Sequence, residues 1–285
     1  MNFEKVDFNL ITLGEWLVLW YDTYKVPNLK PCSLRNIEQI IRLHTPDWLK
    51  SIPIKEITLF DFDKALNQIP NGRTKVYVRQ VWREAFSRAE KYGFVARNVV
   101  ELTDNVRYKK KGSKALTATE RKAFIQSLEG RRFKWVMLFY LHTGVRRAEA
   151  LTLLWSDIDT ESNLILIKGT KTEESQRYII LTEEVKTILE GQRKQNQKEK
   201  IKDERVFPYS NQQMSKNFKL VCPNHHLHDL RHTFVTLCCE SGVNVAVCQQ
   251  LVGHSTADMT MNVYTHVMDE YKRKEARKFT LFPKL

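Results

Sequence analysis

The chain of 285 residues is long enough for about two domains with separate cores. Hydrophobic residues make up 42% and charged residues 28% of it, which is ordinary for a globular protein. The net charge is +13, divided as +6 over residues 1–113 and +7 over 114–285. This even division excludes a basic tail on a neutral body and favours nucleic acid as the partner. The alternative is a basic protein whose charge is simply dispersed.

The cysteines and the apolar runs of the sequence predict in which cellular compartment the protein lies. The five cysteines are odd in number and form no C-x-x-C pair, which disfavours a disulfide framework. The first residues, MNFEKVDFNL, lack the basic and then apolar order of a signal peptide. The longest apolar run, WVMLFYL at 135–141, is far shorter than a membrane span. We therefore expect a soluble protein of the cytoplasm that has no membrane partner.

The first hundred residues have the periodicity of helices. Ser33 is a candidate N-cap for a second helix, and Thr58 with Asp61 forms the capping box of a third. The apolar stripe of the first helix is predicted to consist of Leu10, Leu13, Leu17, Trp20 and Tyr24.

A fourth helix is predicted from about Thr74 to Tyr92, with Gly93 as its C-terminal stop. Its predicted buried face is Val78, Val81, Trp82, Ala85, Phe86 and Ala89. A separate basic stripe follows at i, i+4 and i+8, namely Lys75, Arg79 and Arg83. Such a stripe is either a solvated face or a set of phosphate contacts, and we name these three residues as candidate DNA contacts.

The stretch NVRYKKKGSKA at 105–115 has five basic residues and no apolar period, which indicates an interdomain linker. We place the domains at 1–107 and 116–285, joined by a basic linker at 108–115. The linker contributes three further candidate DNA contacts, Lys109, Lys110 and Lys111.

Beyond the linker, Thr117 with Glu120 forms a capping box and opens a second helical domain. Strand signals occur only at 158–181, where two β-branched runs flank a polar turn and predict a hairpin. Helices resume after Thr182. The predicted fold class is therefore mainly α with a small β-sheet (α+β).

The segment HDLRHTF carries the first chemical signal. On a helix, His228, Arg231 and His232 share one face. A zinc site would need Cys222 or His225 as an additional ligand, but an arginine beside the metal is unusual. The fork of an arginine instead matches the oxygens of a phosphate, so this segment favours an anion site.

Other candidates are weak when taken singly. In TGVRRAEAL, Gly144 lies at a turn and Arg146 opens a helix, where N–H groups favour an anion. Lys171 lies in the predicted hairpin turn, and His254 and Tyr264 follow near the end of the chain.

In chain order, these residues resemble the tyrosine recombinase (phage integrase) family. The matching segments are TGVRRAEALTLLWSDID, KGTKTEESQRYIIL, HDLRHTF, LVGHS and TMNVYTHV, which cover most of 143–267. The resemblance implies a helical core-binding domain, which binds DNA, followed by a catalytic domain. It also implies a site-specific recombinase that exchanges DNA strands through a covalent 3′-phosphotyrosine, without a metal or cofactor.

The resemblance assigns a role to each matched position. Tyr264 would be the nucleophile, with His228 sharing its proton. Lys171 would protonate the leaving oxygen, although Lys168 competes for this role. Arg146, Arg231 and His254 would bind the phosphate, and Glu149 would orient the site. Asp229 is predicted to serve the start of its helix.

The implied partners are duplex DNA with paired inverted core sites and further copies of the chain in a tetramer. The tail DEYKRKEARKFTLFPKL would dock on a neighbouring copy or fold back on its own domain. A directionality factor is an additional partner that the family allows, and the source would be a bacterium, a phage or another mobile element. Three alternatives stay open: a type IB topoisomerase, a non-catalytic DNA-binding protein, and a metal-dependent nuclease using Asp157 and Asp159.

Overall fold

A computed structural model describes residues 10–108, 114–169 and 176–253, together with 260, 261 and 264. The chain divides into two compact units, residues 1–111 and 112–285. Five predicted site residues lie outside the described residues, namely Lys109, Lys110, Lys111, Lys171 and His254. The C-terminal tail at 269–285 also lies outside them. No helix within the described ranges is long and apolar enough to cross a bilayer.

The first unit is helical. Its α-helices are α1 (Leu13–Trp20), α2 (Pro31–Gln39), α3 (Asp47–Lys50), α4 (Leu59–Asn67) and α5 (Gly72–Lys91). The segments Tyr21–Lys25 and Ile40–His44 are π-helical, and Val99–Leu102 forms a 3₁₀ turn.

The capping signals of this unit were predicted in part. The Thr58–Asp61 box is confirmed, since the Thr58 N–H donates to Asp61 Oδ2 at 2.9 Å. The Ser33 cap is wrong, because α2 begins at Pro31 after an N-cap at Lys30. Proline supplies a helical φ and has no N–H to satisfy, so it can open a helix without a side-chain cap. Leu10 is 69% exposed and precedes α1, so its place in the buried stripe is also wrong.

Helix α5 confirms the predicted buried face, since its buried residues are Val78, Val81, Trp82, Ala85, Phe86 and Ala89. The helix begins two residues earlier than predicted because the Asn71 side chain accepts the Thr74 N–H at 3.1 Å. Gly93 follows the helix with φ of 72°, as expected for a C-terminal stop.

The second unit combines helices with one small sheet. Its elements are α6 (Ala118–Ser127), α7 (Lys134–Thr143), α8 (Arg147–Thr152), β1 (Ile158–Asp159), β2 (Leu164–Ile167), β3 (Arg177–Ile180), α9 (Glu183–Lys198), α10 (Asn211–Val221), α11 (Asp229–Glu240) and α12 (Val245–Val252). Strand β2 pairs antiparallel with both β1 and β3, and Ile165 lies opposite Ile179. The predicted hairpin and the mainly α fold class are confirmed, whereas the short strand β1 was not predicted as a separate strand.

Gly144 forms the turn between α7 and α8, beside the candidate site. It ends α7 in the left-handed region, with φ of 61°, and turns the chain into α8. A Cβ built on Gly144 would lie 2.4 Å from Cδ1 of Phe234, a residue of α11. The absence of a side chain therefore lets α11 approach the turn between α7 and α8.

We expect Gly144→Ala to destabilise the protein by about 2–5 kcal/mol, because backbone strain adds to an overpacked contact. Gly130→Ala is the matched control, since Gly130 has φ of 70° but no atom within 4 Å of its built Cβ. The control should lose only the strain contribution of about 1–2 kcal/mol. Urea unfolding of both variants measures the difference, and equal losses would contradict the close approach of α11.

Candidate active site

Arg146 is held at the start of α8. Its backbone N–H donates to Glu149 Oε2 at 2.8 Å, and its Nη1 donates to Glu149 Oε1 at 2.7 Å. Its Nη2 donates to the carbonyl of Gly253, at the end of α12. These contacts fix the guanidinium between two elements that are distant in sequence, and 35% of the side chain remains exposed.

Arg231 lies in α11 and is 3% exposed. Its Nη1 donates to the Gly144 carbonyl at 2.8 Å, whereas its buried Nη2 has no hydrogen-bond partner within the described part of the chain. Burial, reinforced by the charge of Arg146, lowers the pKa of Arg231 to about 9. A buried cation with an unused donor is costly unless an anion completes it.

His228 immediately precedes α11, where its ring makes an edge contact with His232 at 4.9 Å between centroids. The residue keeps an exposed edge, but desolvation of the imidazole and the charges of His232 and Arg231 lower its pKa to about 4. The direction agrees with the geometry, since a neighbouring guanidinium disfavours a second positive charge. The same surroundings favour the neutral imidazole at pH 7 and make it a weaker base while no anion is bound.

His228 and Arg231 line one cavity of about 330 Å³, which we call the basic cavity. Its other polar lining residues are Arg147, Ser215, Lys219 and His226. Arg147 Nη1 donates to Ser215 Oγ at 2.9 Å, which joins α8 to α10 at the cavity wall. The cavity therefore offers several cationic or neutral donors and is suited to an anionic ligand.

Glu149 is the buried carboxylate of the site, and its side chain is fully covered. Its partner besides Arg146 is Arg177, whose Nη1 and Nη2 donate to the two carboxylate oxygens at 3.2 and 2.9 Å. Burial alone would raise the pKa of Glu149, but the hydrogen bonds and charges of the two arginines hold it below its usual value.

Sequence reasoning missed Arg177. The available signal was a basic residue at the start of the otherwise apolar strand RYII, inside a segment already matched to the family.

Tyr264 is placed apart from the basic cavity. Its hydroxyl donates to the Val243 carbonyl at 2.9 Å. Its ring packs in a cluster that we call the cysteine cluster, formed by Val235, Cys238, Cys239, Cys248, Val252 and Tyr264. Burial and contact with the Cys248 thiol raise the pKa of Tyr264. The charge of Arg146 acts on both Arg231 and His228, so these three residues lie near one another. Neither Arg146 nor Tyr264 is among the residues that line the basic cavity.

The cysteine cluster nevertheless borders the site. The neighbouring Cys238 side chain, with those of Tyr264 and Arg231, lowers the pKa of the Cys248 thiol to about 7. Buried Cys248 therefore lies beside Tyr264, and the charge of Arg231 acts on its thiol.

Lys168 and Asp157 form an ion pair at 2.6 Å, in which the carboxylate is buried. Asp159 instead accepts the N–H groups of Glu161 and Ser162 at 2.9 Å. The two aspartates thus have separate local partners, which disfavours a shared two-metal site. Over the described ranges, no group of three or more His, Cys, Asp or Glu is arranged to hold a metal ion.

Asp229 acts at the start of α11, as predicted, because its Oδ2 accepts the His226 N–H at 2.9 Å. Its carboxylate also lies 3.3 Å from Nδ1 of His225. The carboxylate therefore fixes the turn that delivers His228 and Arg231.

The basic stripe of α5 has mixed surroundings. Arg79 donates to Thr103 Oγ1 at 2.6 Å and to the Thr103 carbonyl at 2.8 Å, which ties α5 to the end of the 3₁₀ turn. Lys75 lies 3.5 Å from Asn67 Oδ1, and Arg83 is exposed. The proposed DNA contacts of these residues stay predictions.

The sequence profile of the Phage integrase family matches residues 114–271, more than half of the chain. The chain belongs to this family. A second profile, the N-terminal SAM-like domain of phage integrases, matches residues 12–69 of the recombinase. The family resemblance of the sequence is thereby confirmed.

Known relatives agree with this assignment. Tyrosine recombinase XerA of Saccharolobus solfataricus is 28% identical over 241 residues, which cover 80% of each chain. A lambda integrase dimer bound to a COC′ core site is similar in fold, with a TM-score of 0.76 and 22% identity over 90% of this chain and 78% of the other. A lambda integrase tetramer bound to a Holliday junction has a TM-score of 0.74 and 22% identity, over 88% and 80% of the two chains. The protein is a site-specific DNA recombinase, and the topoisomerase and non-catalytic alternatives gain no support.

Proposed function

We propose that this recombinase binds the scissile DNA phosphate at Arg146 and Arg231 and cleaves the strand with Tyr264. The single observation that carries the proposal is the buried guanidinium of Arg231, whose Nη2 lacks a partner in the described residues. A phosphate oxygen would supply the missing acceptor and the missing negative charge. Both are what a folded chain needs to offset a desolvated cation.

The two arginines would also lower the barrier to strand cleavage. The five-coordinate transition state gathers negative charge on its non-bridging oxygens, and fixed guanidinium groups stabilise that charge without reorganising. Arg146 is fixed by Glu149 and Gly253, and Arg231 by Gly144. Their donors are therefore oriented before the DNA arrives.

The proton of Tyr264 needs an acceptor. A tyrosine with a pKa of about 10 requires about 4 kcal/mol to ionise at pH 7. In the cysteine cluster its pKa is higher still, so attack requires the phenol to leave the Val243 carbonyl and approach the arginines. There His228 would accept or share the proton, once the bound phosphate offsets the arginine charges that lower the pKa of its imidazole. By the family resemblance, Lys171 would protonate the leaving 5′-oxygen and His254 would hydrogen-bond the phosphate.

The remaining chain would serve DNA binding and assembly. We propose that residues 1–107 form a DNA-binding domain and that 108–115 link it to the catalytic domain at 116–285. The lambda integrase structures, a dimer on a core site and a tetramer on a Holliday junction, support paired inverted core sites and a tetramer on DNA. The tail at 269–285 would exchange between copies, with or without a directionality factor, in the cytoplasm of a bacterial or mobile-element host.

DNA affinity should depend steeply on salt. For about 6–10 phosphate contacts, the affinity falls by about 10³–10⁵ between 50 and 200 mM salt. Fluorescence anisotropy with a labelled duplex, titrated at several salt concentrations, gives the slope. A nearly flat response would contradict a binding surface built on phosphates and on the net charge of +13.

A nicked suicide substrate tests the proposed chemistry. Duplexes from the DNA flanking the gene are nicked close to each candidate cleavage position, so that the short 5′-hydroxyl fragment diffuses away after cleavage. The wild-type protein should accumulate as a covalent adduct that survives denaturing electrophoresis and excess EDTA. Adduct formation that requires a divalent cation would overturn the proposal.

A further inference from the structure

We infer that Arg177 is a positioning residue that keeps the positive charge of Arg146 available to the DNA phosphate. The inference rests on the proposed function, because it concerns the same phosphate. Arg177 is not one of the described residues that line the basic cavity. It acts through Glu149.

The side chain of Arg177 uses its donors for hydrogen bonds within the protein. Nη1 and Nη2 donate to the two oxygens of Glu149, and Nε donates to the Leu251 carbonyl at 2.8 Å. The side chain is 9% exposed, whereas that of Arg146 is 35% exposed. Of the two arginines on Glu149, Arg146 is thus the one with surface left for a ligand.

Charge explains why two arginines meet one carboxylate. Glu149 is buried and ionised, so it fixes Arg146 but would also neutralise it. Arg177 supplies the compensating charge. With it, the group of Arg146, Glu149 and Arg177 has a net charge of about +1 beside Arg231. Without Arg177, Arg146 and Glu149 together are about neutral. The phosphate would then be near one net positive charge, that of Arg231, instead of two.

Arg177 also restrains the end of α12. Its Nε binds Leu251, and a Cβ built on Gly253 would lie 2.8 Å from its Nη1. The carbonyl of Gly253 accepts Arg146 Nη2. Gly253 therefore leaves space for the side chain of Arg177, and its carbonyl accepts a hydrogen bond from Arg146.

A double-mutant cycle separates this role from a purely structural one. Arg177→Met should slow adduct formation at saturating DNA by roughly 10–100-fold, as expected for loss of a supporting contact. Adding Glu149→Gln removes the charge that Arg177 compensates and keeps an acceptor oxygen for Arg146. The double variant should therefore react at least about tenfold faster than Arg177→Met alone. Arg177→Lys, which keeps the charge with fewer donors, should lie between wild type and Arg177→Met.

The pH profile gives an independent readout. Loss of Arg177 lets burial raise the pKa of Glu149, so protonation at mildly acidic pH restores the charge of Arg146. The defect of Arg177→Met should therefore shrink as the pH falls from 7 toward about 5. Arg205→Met, which breaks a separate ion pair with Asp203 at 2.6 Å, is the control and should react like wild type.

A rate for Arg177→Met equal to wild type would overturn the inference, as would a double variant no faster than Arg177→Met. Thermal unfolding of each variant shows whether the protein is folded. If Arg177→Met is unfolded, the rate of Arg177→Lys is compared with that of wild type instead. Absence of any adduct with wild type would instead be a failure of the proposed function, and so would overturn both.

Discussion

Tyr264→Phe is expected to abolish the covalent protein–DNA adduct while leaving DNA affinity unchanged. The substitution removes only the hydroxyl oxygen, which is the atom that must bond to phosphorus. The ring still fills the cysteine cluster, and loss of the hydrogen bond to Val243 costs about 0.5–1.5 kcal/mol of stability. Adduct yield on the suicide substrate and anisotropy with the intact duplex measure the two properties.

Tyr178→Phe is the matched control, because Tyr178 is 62% exposed on β3. It should form adduct at the wild-type rate. Adduct formation by Tyr264→Phe at a rate comparable with wild type would rule out Tyr264 as the nucleophile.

Arg231→Met is expected to increase the folding stability of the protein and to decrease the rate at which it forms the DNA adduct. Burial lowers the pKa of Arg231 to about 9, so the folded state disfavours its charge at every pH below that value. Replacing it with an apolar side chain of similar length removes the unpaired Nη2, and the folded state should gain about 1–4 kcal/mol. Adduct formation should fall by about 10²–10³, as for loss of a donor to a developing oxyanion.

The two effects are measured by the midpoint of urea unfolding and by the rate of adduct formation. Lys194→Met, at an exposed position of α9, is the control and should change neither. Inorganic phosphate should raise the unfolding midpoint of wild type more than that of Arg231→Met, because a ligand of the folded state stabilises it. A destabilised Arg231→Met that still forms adduct at the wild-type rate would contradict an anion site at this residue.

Local signals in the sequence predicted the elements that depend on neighbours in the chain. The Thr58 and Thr117 capping boxes, the buried face of α5 and the hairpin of β2 and β3 all lie where the patterns indicated. The Ser33 cap failed because Pro31 offered an earlier start. Capping residues compete, and a proline at the first position of a helix requires no side-chain cap.

For the candidate site, the sequence indicated residue types but not the contacts between them. The arginine of HDLRHTF indicated an anion, and the buried Arg231 agrees with that interpretation. The pairing of Arg177 with Glu149 joins residues 28 positions apart, and no local pattern encodes such a contact. The contact of Tyr264 with Val243 likewise depends on tertiary packing, so the sequence could propose Tyr264 as the nucleophile but could not predict where its hydroxyl lies.

The most direct measurement is the identity of the residue bonded to DNA. The adduct from the suicide substrate is digested with nuclease and protease, and the peptide that retains a nucleotide is sequenced by mass spectrometry. We expect a 3′-phosphate linked to Tyr264, in a peptide that contains NVYTHV. Linkage to another residue, or to a 5′-phosphate, would contradict a phosphate site built from Arg146 and Arg231 for attack by this tyrosine.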